Sequence, residues 1–106
     1  MRIATWNVNS IKARLDIIIN WLNSDACDVL LLQETKSQDE NFPREAFSSH
    51  GWHVTIYGQK SYNGVAIASR HPIKDVMCGL PGDENDEQAR YIEATIETVR
   101  VASIRS

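Results

Sequence analysis

Two polar segments, each following an apolar run, carry the residues best suited to chemistry. Residues 6–10 read WNVNS after a strand-like run, and residues 32–36 read LQETK after the apolar residues 29–31. A helical stretch separates the two runs, and ligands of such strand–helix–strand units bind beyond the carboxyl ends of the strands. If the strands are parallel neighbours, Asn7 and Glu34 lie side by side there. An amide beside a carboxylate suits a hard cation such as Mg²⁺ together with its phosphate.

The elements that must position these two segments are indicated by their apolar patterns. Residues 2–8 predict a first strand. A second strand is predicted at residues 28–32, and the unbroken apolar run at residues 29–32 indicates that it is covered on both faces. Ser10 or Asn9 can cap the helix between them. One face of that helix is apolar and consists of Ile11, Leu15, Ile18, Ile19 and Leu22.

The rest of the chain alternates between short strands and turns. Pro43 suits the first turn of a short helix over residues 43–49. Residues 79–88 contain proline, glycine and several acids, which indicates a surface loop. We therefore predict an α/β fold. The further strands are predicted at residues 52–57, 65–69, 73–78, 90–96 and 99–104.

Three cations lie where they could contact a phosphate. Lys12 falls in the first helical turn, where backbone N–H groups already favour an anion. Lys36 follows Glu34 closely, and Arg90 precedes a strand. The alternative is that all three are ordinary solvated cations.

The composition indicates at most one domain. The 106 residues are 42% hydrophobic and 24% charged, with a net charge of −3. That charge argues against a protein that coats nucleic acid, although a few local cations can still hold a phosphate. Cys27 and Cys78 form no ligand motif, which favours reduced thiols. The sequence has no secretory signal and no long apolar span, so we expect a cytoplasmic protein without a membrane partner.

Four segments resemble one known family. WNVNSI at residues 6–11, LQETK at 32–36, GVAI at 64–67 and QARYIEA at 88–94 are similar to the exonuclease III type of apurinic/apyrimidinic endonuclease. That type belongs to the endonuclease/exonuclease/phosphatase superfamily. The resemblance covers nearly the whole chain but less than half of a family member. It implies the N-terminal half of a four-layer α/β/β/α sandwich, the DNase I-like fold.

The resemblance also implies roles for single residues. Glu34 would bind Mg²⁺ or Mn²⁺, and Asn7 would lie beside the metal and orient the carboxylate or the phosphate, so both would serve catalysis. The loop at residues 62–64 would touch DNA, although it can also be read as a plain turn. The residues expected to contact DNA directly or to support that surface are Asn9, Lys12, Lys36, Tyr62, Asn63 and Arg90.

The implied activity is cleavage of double-stranded DNA at abasic sites and 3′ to 5′ trimming of its ends, in association with the nucleoid. The family's remaining catalytic residues would lie beyond residue 106, so we expect a truncated domain that is inactive alone. Such a piece should self-associate or need the missing C-terminal half. Two alternatives stay open at this point: a non-catalytic binding or assembly module, and a phosphatase of the same superfamily.

Overall fold

The structure is a computed structural model that describes residues 1–59, 63–79 and 88–105. The strand and helix predictions are confirmed, with boundaries that shift by about one residue at several ends. A short 3₁₀ turn lies at Asp39–Asn41. In chain order the other elements are β1 (Ile3–Asn7), α1 (Ile11–Asn23), β2 (Val29–Gln33), α2 (Arg44–Ser48), β3 (His53–Tyr57), β4 (Val65–Ser69), β5 (Ile73–Cys78), β6 (Tyr91–Ile96) and β7 (Val99–Ile104).

The strands form two sheets. The first sheet has the order β1-β2-β4-β3, in which β1 and β2 are parallel and the other neighbours are antiparallel. The second sheet has the order β5-β6-β7 and is antiparallel throughout. The helical connection between β1 and β2 explains their parallel pairing, because a parallel pair needs a long crossover.

Helix α1 begins immediately beyond the first polar segment. Ser10 is its N-cap, and the Ser10 hydroxyl accepts a hydrogen bond of 3.3 Å from the Ala13 N–H. The predicted apolar face is confirmed, because Ile11, Ile18, Ile19 and Leu22 are buried against the first sheet. No helix in the described residues is long and apolar enough to cross a membrane.

Strand β2 separates two apolar cores. Leu30 and Leu32 point to the helix side and pack with α1 and α2, whereas Val29 and Leu31 point to the second sheet. Leu30 and Leu32 are 0% exposed, and burying each such side chain contributes about 1.5–3 kcal/mol. The unbroken apolar run thus reflects cover on both faces. The described residues form one layer of helices and two sheets, which are three layers of the expected sandwich.

Candidate active site

The pairing of β1 with β2 brings Asn7 and Glu34 together. Asn7 lies opposite Gln33 in the parallel register, so Glu34 emerges beside it at the carboxyl ends of both strands. The Asn7 Nδ2 group donates a hydrogen bond to Glu34 Oε2. The Glu34 side chain is 22% exposed, so the carboxylate is partly screened from water but remains accessible. The predicted adjacency of these two residues is therefore confirmed.

The backbone around this pair adopts unusual conformations. Positive φ angles are uncommon for residues other than glycine, and clusters of them occur at functional sites because the surrounding structure must enforce them. Four such residues lie in the two polar segments: Asn9 at 47°, Ser10 at 94°, Glu34 at 53° and Lys36 at 53°. The local chain path therefore turns the segments sharply as they leave the sheet.

Backbone hydrogen bonds hold these turns in place. They run from the segment after β1 to the segment after β2, and from there to the residues that precede β4. Main-chain contacts thus fix the position of Glu34 from two sides. The bonds join Ser10 N to Glu34 O at 2.8 Å, Ile11 N to Thr35 O at 2.9 Å, Thr35 N to Gly64 O at 3.1 Å and Lys36 N to Asn63 O at 2.9 Å.

Asn9 connects Lys36 to the Asn7–Glu34 pair. The Lys36 ammonium donates a hydrogen bond to Asn9 Oδ1. The Asn9 N–H in turn donates to Asn7 Oδ1 at 3.2 Å. Four predicted residues thus form one continuous chain of contacts, with a cation at one end and a carboxylate at the other. Such an arrangement suits a phosphate group that is also held by a metal ion.

Arg105 is a member of the site that the sequence analysis did not identify. Its Nε lies 3.2 Å from Glu34 Oε2, and its side chain is 33% exposed. Its N–H donates a 2.8 Å hydrogen bond to the Arg90 carbonyl, which continues the pairing of β7 with β6. The available signal was the pair of predicted strands at residues 90–96 and 99–104. Only two residues separate them, which is the spacing of a hairpin, and a hairpin places residues 90 and 105 opposite each other. The packing of this pair against β2 had no local signature.

Gly64 allows the segment after β2 to pass close to the backbone that precedes β4. Its φ is +92°, and a Cβ atom at this position would lie 2.2 Å from Thr35 Oγ1. Thr35 is fully buried, and its hydroxyl has no hydrogen-bond partner among the described residues. The close approach lets Gly64 and Thr35 share a backbone hydrogen bond. A glycine is therefore required here for space as well as for conformation.

The predicted DNA loop is only partly described. Asn63 is 9% exposed. Its side-chain amide donates a 3.2 Å hydrogen bond to Gln59 Oε1, which also accepts the Ala89 N–H at 3.1 Å. Asn63 thus fixes the loop against the segment before β6. Tyr62 lies outside the described residues, and a DNA contact by either residue stays a prediction.

Lys12 and Arg90 are exposed at different parts of the same edge. Lys12 is the second residue of α1, next to the Ser10 cap. Arg90 precedes β6, and its carbonyl is tied to Arg105 beside Glu34. Both positions are compatible with the predicted phosphate contacts, which stay predictions.

The donor set fits a small, hard divalent cation. Residues 1–59, 63–79 and 88–105 contain no cluster of three His, Cys, Asp or Glu side chains. Mg²⁺ does not need such a cluster, because it is commonly held by one or two carboxylates while waters and substrate phosphates complete its shell. Glu34 offers the carboxylate. Asn7 directs its amide nitrogen at that carboxylate, which suits an orienting residue.

Solved structures of DNA enzymes share this fold. The 3′ phosphatase NExo from Neisseria, bound to a product DNA hairpin, is 47% identical with a TM-score of 0.96 and matches 98% of this chain and 40% of that one. An AP endonuclease from Archaeoglobus fulgidus is 43% identical with a TM-score of 0.94, over 99% of this chain and 40% of that one. The predicted DNase I-like fold class is thus confirmed.

Sequence comparison leads to the same family. Exodeoxyribonuclease III of Haemophilus influenzae is 37% identical over 98 residues, which are 92% of this chain and 37% of that protein. The chain thus spans less than half the length of these relatives. The model of the Endonuclease/Exonuclease/phosphatase family matches residues 4–105. The predicted resemblance is confirmed, and the chain belongs to the endonuclease/exonuclease/phosphatase family.

Proposed function

We propose that this chain supplies part of the active site of a DNA-repair nuclease, which hydrolyses phosphodiesters at abasic sites and trims 3′ ends. The observation that carries the proposal is the Asn7–Glu34 pair at the carboxyl ends of β1 and β2. The names of the matched relatives, an exodeoxyribonuclease and an AP endonuclease, support the substrate class.

In this proposal Glu34 holds Mg²⁺ or Mn²⁺. The bound ion would neutralise charge on the attacked phosphate and stabilise the leaving oxygen. Asn7 keeps the Glu34 carboxylate in one orientation through its side-chain N–H. Lys36, held by Asn9, presents its ammonium group beside this pair, where it can attract a phosphate of the DNA backbone.

The DNA would lie across the edge that carries both polar segments. Lys12 and Arg90 would contact phosphates at its margins, and Tyr62 and Asn63 would approach the duplex from the loop before β4. Such contacts position the duplex without reading its sequence. This arrangement suits a repair enzyme, because lesions occur in every sequence context.

We further propose that the chain acts with a complementary structure. Within the described residues, β1 and β7 each pair with a single strand, β2 and β6 respectively. Each bears an exposed apolar side chain, with Ile3 45% exposed and Ile104 58% exposed. Bare edges of this kind recruit other strands. The occupant would be the C-terminal half of such a domain or a second copy of this chain.

A DNA 3′-phosphatase is the second candidate activity. The Neisseria structure, whose title names a 3′ phosphatase bound to a product DNA hairpin, favours it. Both reactions require water to attack a phosphorus atom beside the same metal and cations. In both reactions the bond from phosphorus to the 3′ oxygen breaks and a 3′-hydroxyl remains on the DNA. They differ in what departs with the phosphate, which is a nucleotide or the abasic strand in one reaction and nothing further in the other, where inorganic phosphate is released.

The test is a fusion of residues 1–104 to the part of Haemophilus exodeoxyribonuclease III that this chain does not match. Four substrates should be compared: a duplex with one abasic site, an intact duplex, a duplex with a 3′-phosphate and a soluble phosphoinositide. We expect Mg²⁺-dependent nicking at the abasic site by the fusion and none by the chain alone. Phosphoinositide hydrolysis without DNA cleavage would contradict the proposal.

A further inference from the structure

We propose that Arg105 acts as an internal cation, which occupies the Glu34 carboxylate and competes there with a divalent metal ion. The inference rests on the proposed metal site at Glu34. Arg105 Nε lies 3.2 Å from Glu34 Oε2. The same oxygen accepts the hydrogen bond from Asn7 Nδ2. One carboxylate oxygen thus already faces a cation and accepts a hydrogen bond from a neutral donor.

The backbone holds Arg105 in this position. Its N–H donates to the Arg90 carbonyl at 2.8 Å, one step beyond the paired residues Tyr91 and Ile104. The β6–β7 pairing therefore delivers the guanidinium to the edge where β2 ends.

The surroundings make this ion pair stronger than an ordinary surface pair. The side chains of Glu34 and Arg105 are 22% and 33% exposed, respectively. Pairs in such positions are screened less by water and salt than fully exposed ones. Competition with a metal ion should therefore persist at ordinary ionic strength.

A divalent ion at Glu34 would have to displace Arg105 or bind beside its positive charge. Either route weakens binding, because the first breaks an ion pair and the second places like charges close together. A purely structural salt bridge would have a different signature. Its removal would lower the stability of the fold without tightening metal binding.

The test measures Mn²⁺ binding to the full chain from the electron paramagnetic resonance signal of the free ion. Five variants are compared with the wild type: Arg105→Gln, Arg105→Lys, Glu34→Gln, Arg100→Gln and the double variant Glu34→Gln/Arg105→Gln. Arg100 is the matched control, because it is an arginine of β7 that pairs with Glu93 at 2.6 Å. Circular dichroism verifies that each variant is folded.

We expect Arg105→Gln to lower the Kd for Mn²⁺ about tenfold, which corresponds to ~1.4 kcal/mol. Arg105→Lys should change it less, and Arg100→Gln should leave it unchanged. Adding Glu34→Gln to the Arg105→Gln variant should abolish the gain. If the wild type and Arg105→Gln bind Mn²⁺ with the same affinity, and this binding requires Glu34, the inference about Arg105 is overturned and the metal site remains. A lack of Glu34-dependent binding in every variant would overturn both.

A second measurement avoids substitution at Arg105. In the wild type labelled with ¹⁵N-arginine, the Arg105 Nε–H resonance should move as Mg²⁺ is added, because the ion pair with Glu34 is broken or distorted. The Arg100 resonance serves as the internal control and should stay in place. An unmoved Arg105 resonance at a Mg²⁺ concentration that saturates the Glu34 site would overturn the inference.

Discussion

Gln33 in β2 and Ser103 in β7 are hydrogen-bonded across the interface between the two sheets. Gln33 Nε2 lies 2.9 Å from Ser103 Oγ, and Ser103 Oγ donates to the Leu32 carbonyl at 2.6 Å. Gln33 Nε2 also contacts Thr5 Oγ1 at 2.9 Å. Gln33 directly precedes Glu34, so these contacts with β1 and with the second sheet fix the residue next to the one that carries the carboxylate.

This polar bridge should contribute measurably to stability. Gln33 is 9% exposed and Ser103 is 0% exposed, and leaving a buried polar group without its partner costs about 1–3 kcal/mol. We expect Ser103→Ala to lower the free energy of unfolding by about that amount in urea titrations. The double variant Gln33→Met/Ser103→Ala should lose less than the sum of the two single variants. Additive losses would show that the two side chains are not coupled.

Gly64 offers a test of the close approach beside Thr35. Gly64 and Gly51 both have positive φ, at +92° and +81°, but a Cβ on Gly51 meets nothing within 4 Å. Gly51→Ala should therefore cost only the conformational penalty of about 1 kcal/mol. Gly64→Ala should cost about 2 kcal/mol more because Thr35 must move. Thermal unfolding of the two variants compares these costs directly, and equal losses would contradict the geometry.

Asp28 gives the fold a dependence on pH. The Arg2 N–H donates a 2.7 Å hydrogen bond to Asp28 Oδ2, and this bond, reinforced by the Arg2 guanidinium, lowers the pKa of the Asp28 carboxyl. Because the folded pKa lies below the unfolded value of about 3.9, the carboxyl stabilises the fold above about pH 4 and loses this effect as pH falls through the folded pKa.

We therefore expect Asp28→Asn to lower the Tm at pH 7 and to flatten its decline as the pH falls below about 4. Asp16→Asn is the control, because Asp16 lies on the exposed face of α1. The Tm of that variant should follow the wild type across the range. An Asp28→Asn curve parallel to the wild-type curve would show that the Arg2 contact has no role in acid stability.

The exposed edge of β7 should drive self-association of the isolated chain. We expect the wild type to sediment as a dimer or larger species at micromolar concentration, and Ile104→Lys to shift it towards the monomer, since charge on an edge strand discourages pairing. Ile17→Lys is the matched control, because Ile17 is 59% exposed on α1 and Ile104 is 58% exposed on β7. A compact wild-type monomer would refute the expectation.

Local patterns were sufficient to predict the elements and the Asn7–Glu34 pair. The apolar spacing from Ile11 to Leu22 predicted α1, and the strand–helix–strand order made a parallel β1–β2 pair the condition on which the adjacency depended. The adjacency of the two polar segments then followed from chain geometry. These inferences needed only residues that are close in sequence or joined by one helix.

The missed features depend on contacts between distant parts of the chain. Arg105 reaches Glu34 only because the second sheet packs against β2, and no local pattern reports that packing. The sequence pattern ends β2 at Leu32, because the apolar run stops there and Gln33 is polar. It belongs to the strand since Ser103 and Thr5 satisfy its buried amide. The positive φ at Glu34 likewise follows from backbone bonds on both sides.

The most direct test of the central claim is the abasic-site cleavage rate of the fusion with Haemophilus exodeoxyribonuclease III, with and without Glu34→Gln. The control is Glu45→Gln on α2, an exposed carboxylate outside the two polar segments. We expect Glu34→Gln to lower kcat by about 10³-fold, or ~4 kcal/mol, and Glu45→Gln to leave it within about twofold. Cleavage by the Glu34→Gln fusion at the unsubstituted rate would contradict the assignment of Glu34 to the metal site.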